Sequence, residues 1–238
     1  IRQLPNAKHI LYIFEPPTVD IRNHDKNYHQ NFQKIFTWRD DLIDNKKYFK
    51  FYLPMMLNLP ENLPNFKQRK LCCTVLANKH STHQFEIYSE RRSIINFFDK
   101  NHNSDFDLYG QGWSRNEFSC YRGAPANKEE TIKKYKFCVC YENTKNMNGC
   151  VTEKIFECLS AGSVPIYLGA PNIETYVPKN CFIDRRDFSS NQEMYNYLKN
   201  MPEQAYNQIL ENIYNFLKTE QAKLYSWDNF IEIFVDGV

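Results

Sequence analysis

Glycine is scarce in this chain, and so is charge of either sign in excess. Lys and Arg number 30 against 28 Asp and Glu, a net of +2 over 238 residues. No basic footprint therefore argues for nucleic acid, and any anionic ligand has to be held by a few placed cations. No apolar run approaches the roughly 20 residues of a membrane span. The N-terminus shows no basic, apolar and small-residue succession of a secretion signal, so neither export nor anchoring is expected from these residues. The chain opens on Ile1 rather than Met, and an upstream segment is expected. Internal repeats and low-complexity tracts are also missing. Close Cys/His pairs at zinc-ligand spacing are missing too, so spacing along the chain encodes no structural metal site.

What is present is the making of a core. Hydrophobic residues are 42% of the chain, enough for one large or two small globular domains. The eight cysteines fall largely in apolar runs such as Leu71-Cys72-Cys73-Thr74-Val75-Leu76 and Phe137-Cys138-Val139-Cys140-Tyr141, where a free thiol packs as a small hydrophobe. Reduced, buried thiols are expected.

Periodicity predicts strands at residues 9–14, 35–38 and 48–53, then a break over 58–66, where Pro60, Pro64 and three asparagines interrupt the pattern. Beyond it strands and helices alternate. Strands are expected at 71–76, 106–109, 137–141, 164–168 and 181–184, and helices at 88–98, 128–134, 152–161, 192–201, 203–217 and 227–234. Such alternation favours a parallel sheet with helices on both faces. It divides the chain into a partial α/β domain over 1–66 and a complete Rossmann-like domain over 67–238, with the last helix returning across the interface. Six of the seven glycines lie between Gly110 and Gly169, in the second part.

The informative stretch runs from Tyr135 to Gly162. Glu142-Asn143-Thr144 ends an apolar strand, and after a gap Cys150-Val151-Thr152-Glu153-Lys154 opens a helix on Thr152, a good N-cap, that closes at Gly162. The helix start points at the carboxyl end of the preceding strand, where α/β sheets bind ligands and free N–H groups favour phosphate. Lys154 in the first turn opposes the helix dipole, and an anion beside it would account for that. Taken alone, Glu142 is equally a strand-end surface charge, and Glu153 with Lys154 reads more readily as a solvated helix start than as a ligand site.

Glu142-Asn143-Thr144, Val151-Thr152-Glu153-Lys154, Ala161-Gly162-Ser163-Val164-Pro165-Ile166-Tyr167-Leu168-Gly169, Tyr176-Val177-Pro178 and Phe182-Ile183-Asp184 together resemble the signature block of the α1,3-fucosyltransferases of glycosyltransferase family 10. The resemblance implies a GT-B-type fold and inverting transfer of L-fucose from GDP-fucose to an acceptor glycan, α1,3 to a GlcNAc or Glc unit. It implies donor contacts from Glu153 on the ribose or fucose side and Lys154 on the pyrophosphate. Arg91, with Arg92 next to it, matches the family's pyrophosphate arginine, and Asn78 an asparagine near the donor; Glu142, Asn143 and Thr152 complete the donor set. Phe14-Glu15-Pro16-Pro17 resembles the family's general-base element, which makes Glu15 the base. Members carry an aromatic where this chain has Cys150, and one donor contact is open there.

No cofactor or metal is implied. Asp105-Phe106-Asp107 imitates the Asp-x-Asp metal motif of other sugar transferases, on which this family's fold does not depend. The implied partners are GDP-fucose and an acceptor oligosaccharide or glycoconjugate, with peripheral membrane contact through segments outside this chain. Localisation is expected to be cytoplasmic or peripheral-membrane for a bacterial chain and the Golgi lumen for a eukaryotic one. A donor-binding module without turnover, and a GT-B transferase of another nucleotide sugar, are the alternatives.

Overall fold

A strand that is apolar on both faces belongs in the middle of a parallel sheet. The segment Tyr135–Tyr141 is such a strand, nearly every residue of it buried. In the computed structural model, which describes residues 8–237, it is the centre of a five-stranded parallel sheet. The strands are β4 (Lys70–Val75), β5 (Phe106–Tyr109), β6 (Tyr135–Tyr141), β7 (Val164–Leu168) and β8 (Ile183–Asp184), in the order β5-β4-β6-β7-β8. Within this sheet that is the 2-1-3-4-5 succession of doubly wound folds, whose ligand crevice opens where the order reverses. Here the reversal falls between the carboxyl ends of β4 and β6.

A second, three-stranded parallel sheet precedes it: β1 (Ile10–Ile13), β2 (Lys34–Thr37) and β3 (Tyr48–Lys50), in chain order. A short α1 (Lys26–His29) lies in its first crossover. No regular element occupies residues 56–65, as the prolines and asparagines there predict. Residues 1–7 of the first expected domain lie outside the described residues.

Five longer helices and two short ones complete the described chain: α2 (Tyr88–Asn101), α3 (Lys128–Ile132), α4 (Glu153–Ser160), α5 (Asn191–Lys199), α6 (Glu203–Leu217), α7 (Glu220–Lys223) and α8 (Trp227–Gly237). Their buried residues follow helical spacing. On α2 they are Tyr88, Arg91, Ile94, Ile95 and Phe98, a single stripe with one cation in it. The expected strand at 181–184 shrinks to Ile183–Asp184, because Cys181 closes a 3₁₀ turn that starts after Pro178.

Helix α8 does return to the first sheet. Phe230 meets the rings of Tyr12, Phe14 and Phe51 at 6.0–6.2 Å between centroids. The Met55 amide donates to Tyr225 O at 2.9 Å just ahead of that helix. A polar junction adds to this. Asp40, after β2, accepts from Lys50 Nζ at 2.7 Å, Asn172 Nδ2 at 2.8 Å and the Tyr176 hydroxyl at 2.6 Å. Gly149 closes the contact: at φ +81°, its place for a Cβ would sit 2.2 Å from Trp38 O, so only glycine fits. Among the described residues no helix is long and apolar enough to cross a membrane.

Candidate active site

The carboxyl ends of both sheets face one cleft of about 470 Å³. Phe14, Glu15 and Pro16 line it from the end of β1, and Leu53 and Pro54 from beyond β3. Opposite stand Val75 at the end of β4 with Leu76 and Ala77 after it, Asn143 after β6, and Thr152, Glu153 and Lys154 at the start of α4.

The helix start is built from beneath. Glu142, fully buried at the end of β6, accepts from the Thr152 amide at 2.9 Å and from its hydroxyl at 2.7 Å. Thr152 Oγ1 in turn caps the Lys154 amide. Lys154 Nζ reaches Thr152 Oγ1 and Glu153 Oε1, each at 3.1 Å, and lies 3.5 Å from Glu142 Oε2. Burial pushes the Glu142 carboxyl above its ordinary range. Burial also works against the Lys154 charge, but Glu142 and Glu153 outweigh it and hold the ammonium up at about 12. Glu142 is thus the support of the helix start rather than a surface charge. The backbone leaves it room, since a Cβ on Gly169 would lie 2.5 Å from Glu142 Cγ.

Arg91 is held differently. It is buried on α2, donates to Tyr141 O at 3.1 Å (Nε) and 2.6 Å (Nη2) and to Asn143 Oδ1 at 2.8 Å, and sits 4.9 Å from the Tyr88 ring centroid. Burial lowers its pKa, yet a guanidinium stays charged in proteins. Among the described residues no carboxylate lies within ion-pair distance of it, and its side chain lines the cleft. Its neighbour Arg92 turns away to pair with Glu117 and to lie over Trp113.

Glu15 stands across the cleft, exposed, with its carbonyl oxygen 3.0 Å from His24 Nε2. Among the described residues its carboxylate has no hydrogen-bond or ion-pair partner. Asn143 lines the cleft while holding Arg91. Asn78 sits beside the cleft, with its amide committed to Gly112 O at 2.9 Å and its oxygen 3.3 Å from Arg92 Nη2. Cys150 is buried with Phe36, Trp38 and Phe51 in the core of the first sheet. Asp105 and Asp107 lie at the amino end of the sheet, away from the cleft. Asp105 pairs with Lys199, and Asp107 with Lys70 and Arg122.

Sequence reading passed over Lys128 and Trp227, which also line the cleft. Lys128 opens α3 and pairs with Glu157 on α4. Trp227, the first residue of α8, is 48% exposed. An exposed tryptophan opening a helix was the one signal available.

The family model "Glycosyltransferase family 10 (fucosyltransferase) C-term" matches residues 65–228. The chain is 46% identical over 67 residues to an alpha-(1,4)-fucosyltransferase of Arabidopsis thaliana, covering 28% of this chain and 16% of that protein. It is 35% identical over 104 residues to the alpha-(1,3)-fucosyltransferase FucT of Helicobacter pylori, covering 43% and 21%. The matched stretches thus span about a fifth or less of those relatives' own lengths. A crystal structure of an alpha1,3-fucosyltransferase with GDP-fucose superposes with a TM-score of 0.59 at 21% identity, over 87% of this chain and 67% of that one. The likeness shows a GT-B-type α/β fold. With more than half of its length matched by the family model, the chain belongs to glycosyltransferase family 10, the fucosyltransferases.

Proposed function

We propose that the chain transfers L-fucose from GDP-β-L-fucose to a hydroxyl of an acceptor glycan with inversion, giving an α1,3 linkage to a GlcNAc or Glc unit. One observation carries the donor half. Arg91 is a buried cation that, among the described residues, has no carboxylate within ion-pair distance, and it lines a cleft beside a helix start. Such a group gains most from an anion, and a pyrophosphate is the anion this family's donor supplies. Lys154 adds to the field, although two carboxylates already share its charge. The α4 start contributes the positive end of its helix dipole.

In this reading Glu15 takes the acceptor proton as the hydroxyl oxygen bonds to fucose C1. The bond from C1 to the phosphate oxygen breaks, and GDP leaves with the electron pair. Arg91 and Lys154 stabilise the charge that develops on the leaving phosphate, a term that often dominates catalysis. Glu142, buried under the cap, positions Lys154 and does not touch substrate. Acceptor oligosaccharide or glycoconjugate is the second substrate. The reading needs no metal at the cleft.

Calorimetric titration with GDP tests the donor site. Arg91→Ala is expected to weaken binding about 10- to 100-fold, the scale of one charged hydrogen-bonding group. Lys154→Ala is expected to cost less, because its charge is already shared. Unchanged GDP affinity in Arg91→Ala would remove the cleft from the donor role.

A further inference from the structure

Outside the cleft, the densest group of metal-ligating side chains among the described residues is a knot of thiols under α4. Cys138 and Cys140 alternate onto one face of β6, and α4 lowers Cys158 onto the same face. The three Sγ atoms lie within 4.8 Å of one another, and all three residues are buried. Cys140 and Cys158 Sγ are 2.8 Å apart. A void of about 10 Å³ adjoins them, walled by these cysteines with Lys128 and Glu157. It is the size of one water molecule or ion. Val75, Leu76 and Lys154 wall both this void and the cleft, so the two are neighbours.

We propose that Cys138, Cys140 and Cys158 bind one thiophilic d¹⁰ metal ion, Zn(II) or Cu(I). Three convergent sulfurs on rigid elements suit either ion. Zn(II) would complete four-coordination with a water in the void, whereas Cu(I) is satisfied by the thiolates alone. At metal–sulfur distances of about 2.3 Å, ligand sulfurs stand roughly 3.8–4 Å apart. Cys140 and Cys158 would therefore part by about 1 Å, within reach of side-chain rotation. Binding releases the thiol protons to solvent, and no redox step is involved. The Lys128 ammonium, on the wall of the void, faces the net negative charge of the tris-thiolate site.

The role follows from position. Cys158 is on the helix that begins with Glu153 and Lys154, and Cys140 Sγ also reaches Lys154 O at 3.5 Å. An ion here would bolt α4 to β6 directly behind the cation at the cleft. The ion would be structural, and the inference stands whether or not the chain transfers fucose.

The full chain, reduced and stripped of metal, is to be titrated with Zn(II) alone. A second arm supplies Cu(I) in competition with a chromogenic chelator, and Co(II) serves as a spectroscopic stand-in for Zn(II). One equivalent of Zn(II) or Cu(I) is expected to survive desalting and raise the Tm. Thiolate-to-cobalt charge-transfer absorption is expected at the same stoichiometry. Cys158→Ala is expected to weaken binding at least tenfold, whereas Cys181→Ala, a buried thiol outside the knot, leaves it intact. If the folded wild-type chain retains neither ion, the proposal is wrong without recourse to any variant. Equal binding by Cys158→Ala, or loss in Cys181→Ala, would also overturn it.

Discussion

The two walls of the cleft are built on opposite plans. On the wall of the five-stranded sheet every functional side chain is tied down: Glu142 by Thr152, Lys154 by two carboxylates, and Arg91 by a backbone oxygen and Asn143. On the wall of the three-stranded sheet, Phe14 is 41% exposed and Glu15 stands without a side-chain partner among the described residues. The first arrangement is preorganised for a fixed ligand of defined charge, whereas the second leaves room for a partner that supplies its own contacts. A nucleotide sugar is constant from turnover to turnover and an acceptor glycan varies, so the asymmetry matches the proposed division of labour.

The largest expected effect lies on the looser wall. Glu15→Gln keeps size and removes basicity, and a missing general base typically costs roughly 10²–10⁴ in rate. Steady-state assays should show kcat falling on that scale, with GDP affinity by calorimetry unchanged. A variant with near-normal kcat would make Glu15 a strand-end charge.

The tied-down wall should respond in stability before chemistry. Gly169→Ala forces a methyl group against Glu142 Cγ and the Tyr167 hydroxyl, each about 2.5 Å from it. Overpacking of this kind costs about 1–3 kcal/mol. Thermal unfolding is expected to shift down accordingly, with GDP binding weakened as the helix start is displaced. An unchanged Tm would mean that Glu142 is not confined as described.

The smallest effect concerns the junction between the walls. Burial pushes the Asp40 carboxyl up, but hydrogen bonds from Lys50, Tyr176 and Asn172 outweigh it and hold it below the ordinary range. A depressed folded-state pKa contributes stability that is complete above the unfolded value of about 3.9 and is lost as pH falls through the folded value. Asp40 is partly exposed, so the contribution is about 1 kcal/mol or less. Denaturant melts at neutral pH and at pH near 3 should therefore show Asp40→Asn losing less stability on acidification than the wild type. Parallel losses would separate the junction from Asp40.

Much of this was legible along the chain because its information is local. Thr152 caps α4 as its residue type predicts, and a parallel sheet follows from the alternation of apolar runs, although its 2-1-3-4-5 order does not. Choosing Arg91 over Arg92 rested on spacing, and the structure turns Arg91 to the cleft and Arg92 to Glu117. Readings that failed to emerge depend on distant segments meeting. Glu142 is separated by ten positions from the Thr152 it supports, so its burial has no local mark. Lys128 and Trp227 reach the cleft from separate helices. Cys158 joins Cys138 and Cys140 only because α4 folds back over β6, and ligand spacing counted along the chain misses it. The shortened β8 reflects the turn after Pro178, which apolar content alone does not register.

The reaction proposed for this cleft moves fucose from GDP-fucose to a sugar hydroxyl. The most direct measurement incubates the purified chain with labelled GDP-fucose and lactose-type and N-acetyllactosamine acceptors, and reads the product by NMR. An α-configured fucosyl product at the 3-position of GlcNAc or Glc is expected, with one GDP released per transfer. GDP binding without any product would leave a donor-binding module, and a β-configured product would contradict inversion outright.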